Sequence, residues 1–548
     1  MNPWLLRLLP VLLLLGWDWL RAAEEETPRP NIVLIMADDL GFSDIGCYGG
    51  EIKTPNLNQM ATNGVRFTQF YNTARCCPTR AALMTGLYPH QAGVGLMTQA
   101  TPAPGYQGQL NRQCVTIAEV LQGAGYSTYM AGKWHLVRDG DKNGNGTKAA
   151  WPMQRGFQRY FGTIDGAGNY FAPPTLIRDN TLVPAATLPK DFYYTTALGQ
   201  NAAQFIREHA ADATRKKSPF FLYLAYTAPH WPLHAPEAQI AKYRGTYLKG
   251  WDKLRQERHT RQLAMKLVDA RWPLSPRHPD APAWESLSEG QRKEMDERMA
   301  IYAAMVDMMD QSIGLVMGEV EKLGLKGNTL TVFLADNGGC DESGLFGFER
   351  NAGSKLGTAA SFASYGLCWA NASNTPFRFF KKDHHEGGIA SPLIVQWPAR
   401  LTAAGELREQ PGHVIDLMPT CVEVARAKYP KTFGGQNIVP MEGRSLMPAL
   451  EDHPIDREAI YWEHVGNRGV RAGDWKLVSN VRFGKGVWEL YNLAADRTEQ
   501  VNLAGQRPDK VQELEALWTA WAKRAQVLPK PAGGAPKAGS KKAAAKAK

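Results

Sequence analysis

Mostly apolar runs of five to seven residues recur at 31–37, 65–71, 126–130, 220–226, 329–335 and 392–396. Runs of this length read as strands, several of them buried on both faces. Between them lie helical patterns at 56–64, 116–123, 299–323 and 413–425. In the third, Met305, Met309, Ile313, Val316, Val320 and Leu323 recur at spacings of three and four, a packing stripe for the core. Strand and helix in alternation predict an α/β fold: a large mixed, mostly parallel sheet sandwiched by helices. The pattern changes near residue 445. Short strands at 460–462, 468–471, 475–479 and 488–491 precede one amphipathic helix at 510–525, which predicts a small antiparallel sheet plus helix. Residues 239–298 read as an insertion rich in charge, Pro and Trp that caps the sheet or shapes a substrate mouth.

Composition fits a globular chain: 548 residues, 44% hydrophobic and 21% charged. The first 23 residues read as a secretory signal, with Arg7, an apolar stretch over 8–15 and Ala22-Ala23 before three glutamates. The chain is therefore expected to be secreted or periplasmic, with no membrane span once the signal is cleaved. The formal charge is +10, but six lysines lie between Lys530 and Lys548. A Lys/Ala-rich tail over 526–548 cannot bury a core and reads as disordered. Nothing else points to nucleic acid. The domain reading is signal 1–23, catalytic domain 30–445, C-terminal subdomain 446–525 and tail. Seven sparse cysteines imply no disulfide scaffold.

The chemistry sits at strand ends. The first strand runs into Asp38-Asp39 and the fifth into Asp336-Asn337-Gly338-Gly339. Open α/β sheets bind ligands beyond the carboxyl ends of their strands. Adjacent carboxylates repel unless a cation sits between them, and all-oxygen donors favour calcium or magnesium over zinc. The second strand leads into Cys76-Cys77-Pro78-Thr79-Arg80, which opens a helix. Pro78 suits a first helical turn. Cys76 then stands at a helix N-terminus, where backbone N–H groups favour an anion. Arg80, one turn on, reaches back over the same spot.

The stretch from Cys76 to Gly86 resembles the sulfatase signature, Cys-x-Pro-x-Arg followed by an apolar run and Thr-Gly, with Thr79 where Ser is more common. Further segments match the family in order, so the resemblance covers about 31–525. Gly132-Lys133-Trp134-His135, Pro229-His230 and a lysine five residues before Glu386-Gly387-Gly388 are among them. Lys381 has that last spacing, with Lys382 beside it as the alternative, and Ala390 stands where many relatives carry Arg. A serine that some relatives carry after the segment 156–162 has no counterpart; the count lands on Gly166. His234 reads as structural or pocket-lining.

The resemblance implies an alkaline phosphatase-like fold and conversion of Cys76 to Cα-formylglycine. A formylglycine-generating or anaerobic sulfatase-maturating enzyme would be the partner. It implies metal ligands Asp38, Asp39, Asp336, Asn337 and the modified Cys76, with Ca²⁺ or Mg²⁺ as the ion. One hydroxyl of the formylglycine hydrate attacks sulfur and the other later expels sulfate. Arg80, Lys133 and Lys381 neutralise the sulfuryl oxygens, His135 is the base and His230 the acid at the leaving oxygen. The expected activity is hydrolysis of an aryl sulfate or sulfated carbohydrate. Two other readings stay open: a phosphodiesterase or phosphonate monoester hydrolase of the same superfamily, and a non-catalytic sulfated-glycan-binding protein.

Overall fold

A computed structural model of the chain describes residues 28–142, 146–484 and 486–530. The signal predicted over 1–23 and the tail beyond 530 lie outside them. Among the described residues the main sheet has eleven strands. Its centre is built from β1 (Asn31–Ala37), β2 (Val65–Tyr71), β3 (Ser127–Gly132), β4 (Arg159–Thr163), β5 (Phe220–Ala225), β6 (Thr329–Ala335) and β7 (Ala390–Gln396). They lie in the order β2-β7-β6-β1-β5-β3-β4. β7 is antiparallel to both neighbours; the pairs among β6, β1, β5, β3 and β4 are parallel.

Both faces of β1 are buried. Val33, Ile35 and Ala37 join one apolar core, and Ile32, Leu34 and Met36 join the other. Helices α2 (Tyr194–Ala211) and α4 (Glu289–Lys322) cover the first face. Helix α1 (Cys76–Thr85) covers the second. The methionine stripe of α4 is core, as its spacing predicts. The helix starts ten residues before the predicted 299–323 because its first turns are polar. Ser288 and Gln291 cap it reciprocally.

The insertion carries α3 (Gly250–Ala264) and caps the sheet's carboxyl end. Trp251, Trp284 and Trp369 meet edge to face or tilted. The fully buried Arg258 pairs with Asp44 at 2.6 Å and Glu51 at 2.9 Å, bracing the loop that follows β1. The predicted helix at 413–425 is a short 3-10 turn, Val414–Asp416, followed by a helix over Leu417–Val424.

The C-terminal subdomain pairs β8 (Ile460–His464), β9 (Asn467–Ala472), β10 (Trp475–Ser479) and β11 (Glu489–Asn492) antiparallel in that order, with α5 (Pro508–Arg524) packed on them. Val527 is buried and Lys530 pairs with Glu463 at 2.7 Å, so the first residues assigned to the tail are anchored. All seven cysteines are buried and unpaired. Among the described residues no helix is long and apolar enough to cross a membrane.

Candidate active site

Parallel pairing brings the predicted site residues together. Ala37 of β1 is in register with Ala335 of β6, so Asp38-Asp39 and Asp336-Asn337 leave the sheet side by side. Gly132 of β3 is in register with Ala225 of β5. Lys133 and His135 therefore emerge next to the loop that carries His230. Two site residues, Asp39 and His135, have left-handed backbone (φ 61° and 56°). For residues other than Gly this costs about 1–3 kcal/mol each and concentrates at functional sites.

Cys76 is the first helical residue of α1, with an extended Arg75 before it. The hydroxyl of Thr79 donates to the Asp336 carbonyl at 2.6 Å, tying the helix start to the end of β6. Threonine keeps the hydroxyl that serine would supply. Arg80 donates to Asp336 Oδ2 at 2.9 Å and to the Lys133 carbonyl at 2.9 Å, and lies 3.4 Å from Asp38 Oδ2. Lys133 pairs with Asp38. Lys381 pairs with Asp39 Oδ1 at 2.6 Å, and Asn337 Nδ2 donates to the same oxygen at 2.6 Å. Lys382 instead pairs with Glu342 at the rim. The geometry thus places Lys381, not its neighbour, among the acids.

Three buried oxygens in this cluster have no hydrogen-bond partner: Asp38 Oδ1, Asp39 Oδ2 and Asn337 Oδ1. Orphaned buried acceptors are costly and rare. Ligand atoms of Asp38, Asp39 and His230 also lie within 4.8 Å of one another. An oxygen-rich, dehydrated set of this kind fits a hard divalent cation. Electrostatics agree. Burial, with Asp38 adding, drives the Asp336 carboxyl well above the usual range against Arg80 and Lys133. Burial also opposes ionisation of Asp38, but Lys133, His230 and Arg80 outweigh it and hold its pKa below normal.

A hydrogen bond with Cys77 pulls the Cys76 thiol well below its ordinary pKa; burial opposes this and Lys133 assists. Atoms of Cys76, Cys77 and His135 lie within 4.8 Å of one another. Burial lowers His135 to about 4, so its ring is neutral at pH 7. His230 is lowered too, by burial first and Lys381 next, against Asp39. Its Nδ1 is 2.6 Å from the Trp231 carbonyl and its Nε2 3.4 Å from Asp39 Oδ2. A carbonyl can only accept, so Nδ1 carries the proton and Nε2 is the nitrogen free to exchange one. His234 lies outside this cluster, its Nε2 on the Ser361 carbonyl at 2.8 Å.

Several further residues support these groups from behind. Gly166 faces the ring of His135: a Cβ there would come within 2.2 Å of Cε1. That contact leaves no room for a serine at this position. Asp44 accepts from Tyr302 at 2.7 Å and from the Gly41 N–H at 2.9 Å, shaping the turn after Asp39. Glu386 does not face the acids. It pairs with Lys476 at 2.8 Å and Arg497 at 2.9 Å, locking the Lys381 loop to the C-terminal subdomain. Gly388 is where that loop folds back, 2.0 Å from a would-be Cβ to the Asp383 carbonyl.

A doubly buried parallel sheet thus gathers acids and cations around a helix-start cysteine, a site suited to an anionic ester. Comparison with known families makes the class specific. The "Sulfatase" family profile matches residues 30–427 and that of the "N-sulphoglucosamine sulphohydrolase, C-terminal" region matches 376–522. The chain is 35% identical to the arylsulfatase of Klebsiella aerogenes, over 78% of this chain and 92% of that one. It is 33% identical to an uncharacterized sulfatase of Schizosaccharomyces pombe, over 93% and 96%. Among solved structures, Ps i-CgsB in complex with k-i-k-neocarrahexaose superposes with a TM-score of 0.65 at 24% identity, covering 92% of this chain and 98% of that one. The chain belongs to the sulfatase family and is a sulfuric ester hydrolase.

Proposed function

We propose that this protein is a secreted or periplasmic sulfatase that hydrolyses an aryl sulfate or a sulfated carbohydrate to the alcohol and inorganic sulfate. Cys76, oxidised to formylglycine by a maturation enzyme, is the nucleophilic position. Asp38, Asp39, Asp336 and Asn337, with the modified residue 76, hold Ca²⁺, or Mg²⁺ in its place. One observation carries the reading: three orphaned oxygens share a buried site with Arg80, Lys133 and Lys381, beside a cysteine that opens a helix. That pattern suits a cation and a tetrahedral dianion together.

The formylglycine hydrate supplies a nucleophilic hydroxyl and a second hydroxyl for release of sulfate. The cation, when bound, polarises the sulfuryl oxygens. Everything else is done by this chain's side chains. Arg80 holds Asp336 and orients the Lys133 segment. Lys133 and Lys381 place ammonium groups on the acids, where they neutralise charge that grows on the sulfuryl oxygens. Neutral His135, against Cys76 and Gly166, takes the proton of the second hydroxyl. With Nδ1–H tied to the Trp231 carbonyl, His230 delivers a proton to the leaving oxygen from Nε2 in its doubly protonated form, which Asp39 beside Nε2 favours, and is left neutral.

The test is the mass of the Cys76 peptide from protein made in its native source, together with sulfate release from 4-nitrophenyl sulfate. Conversion makes the peptide about 18 Da lighter by exchanging –CH₂SH for –CHO. A lighter peptide with chelator-sensitive sulfate release supports the proposal. A lighter peptide that cleaves only phosphodiesters points to a phosphodiesterase or phosphonate monoester hydrolase. An unmodified Cys76 overturns the catalytic reading and leaves a sulfated-glycan-binding protein.

A further inference from the structure

On the side of His230, the residues around the site form a platform. The His230 and Trp231 rings lie 4.6 Å apart. Trp231 meets Phe348 at 5.4 Å and Phe362 at 5.8 Å. The guanidinium of Arg350 sits over all three, 5.2 Å from Trp231, 4.7 Å from Phe348 and 4.8 Å from Phe362. Arg350 is exposed, and among the described residues it makes no ion pair with a carboxylate.

Of its neighbouring acids, Glu349 accepts the Asn351 and Phe362 N–H groups through Oε1 at 2.7 and 3.0 Å; its Oε2 is buried and unpartnered and makes no ion pair with Arg350. Glu342, which accepts from Trp231 Nε1 at 3.3 Å, is held by Arg75 at 2.8 Å and by Lys382. Cation–π contacts fix the guanidinium without neutralising it. A guanidinium seated on three rings and without an ion-pair partner among the described residues is placed to take an oxyanion.

We infer that Arg350, seated on Trp231, Phe348 and Phe362 beside His230, is a second anion site on the leaving-group side. It selects sulfate esters whose alcohol carries a further carboxylate or sulfate. The inference rests on His230 standing at the leaving oxygen, as proposed above. The Trp231 ring adjoins that of His230, and Arg350 sits over Trp231.

The test compares kcat/KM for phenyl sulfate, 4-carboxyphenyl sulfate and hydroquinone disulfate in wild type, Arg350→Gln and Arg350→Lys. Differences in leaving-group chemistry cancel when each dianion-to-monoanion ratio is compared between proteins. Arg350→Gln is expected to lower that ratio about fivefold, through KM, with Arg350→Lys in between. Which dianion responds distinguishes carboxylate from sulfate recognition. A variant-free arm measures the wild-type ratio as NaCl is raised: an exposed cation is screened, so the preference narrows. Turnover with ratios unchanged by Arg350→Gln, or by salt if that variant does not fold, overturns the inference alone. Absence of sulfate release by the wild type from all three substrates overturns the functional reading and this inference with it.

Discussion

Replacing Glu386 by Gln removes one carboxylate from a closed charge cluster and leaves its shape nearly unchanged. Glu386 is fully buried between Lys476, Arg497 and the Tyr71 hydroxyl, and Lys476 also reaches Glu499 at 2.8 Å. Two magnitudes can be worked independently. Stranding a buried partner of an ion pair costs about 3–5 kcal/mol. The titration gives another: burial opposes ionisation of Glu386, but Lys476 and Arg497 outweigh it and hold the carboxyl at about 2 against 4.5. A depression of that size contributes about 3 kcal/mol at neutral pH. The folded carboxyl is the stronger acid, so this stability is fully present above pH 4.5 and drains away as the pH falls toward 2. Urea unfolding of wild type and Glu386→Gln across pH 7 to 3 is the assay. A gap of about 3 kcal/mol is expected at pH 7, narrowing by about 1.4 kcal/mol per pH unit below 4.5. A constant gap, or none, would refute the claim that this charge cluster clamps the C-terminal subdomain to the Lys381 loop.

Lys381→Ala is expected to cut kcat/KM for an aryl sulfate about 10²–10³-fold. Lys382→Ala, whose ammonium pairs with Glu342, should cost less than about threefold; the reverse order of losses would exchange their roles. His230→Asn should slow poor alcohol leaving groups by about 10²-fold or more and 4-nitrophenyl sulfate far less, because only the former need a proton. A uniform loss across leaving groups would count against His230 as the acid. Calcium at a hundredfold excess over its dissociation constant should stabilise wild type by about 2.7 kcal/mol in thermal melts, and Asp39→Ala should abolish the shift. Arg258→Met should lose about 3–5 kcal/mol by leaving Asp44 and Glu51 uncompensated; an unchanged melting temperature would remove that brace from the account.

The parts of this fold that could be read in advance are those where local pattern and tertiary burial agree. β1 and β6 begin and end at the residues their apolar runs mark, because a strand buried on both faces has nowhere to place a charged side chain. α2 lies outside the predicted helices although its buried face carries Leu198, Phe205 and Ile206. Small residues share that face, and Gly199 lies so close to α4 that a Cβ would stand 2.3 Å from Ser312 Oγ. α3 was hidden by charge, since the side chain that docks it most firmly is Arg258. The Ser288–Gln291 capping box was legible and marks the true start of α4.

The site divides the same way. Asp38-Asp39 and Asp336-Asn337 could be paired from sequence because both end buried strands, and parallel register then makes their meeting unavoidable. Nothing local says that Asp44 and Tyr302 shape the turn behind them, or that Glu386 points away from the acids. Those roles depend on partners 90 or more residues distant. The division has a physical basis. Groups that handle charge must sit at strand ends and helix starts, positions a sequence advertises. Groups that hold them there need only a partner, and a fold can supply one from any element it brings near. Arg350 belongs to a third kind. Among the described residues it closes no charge pair, yet three rings hold its guanidinium in place. Specificity written in such residues changes when a loop changes, while Cys76, Arg80 and the four oxygen-bearing residues stay fixed by the sheet that carries them.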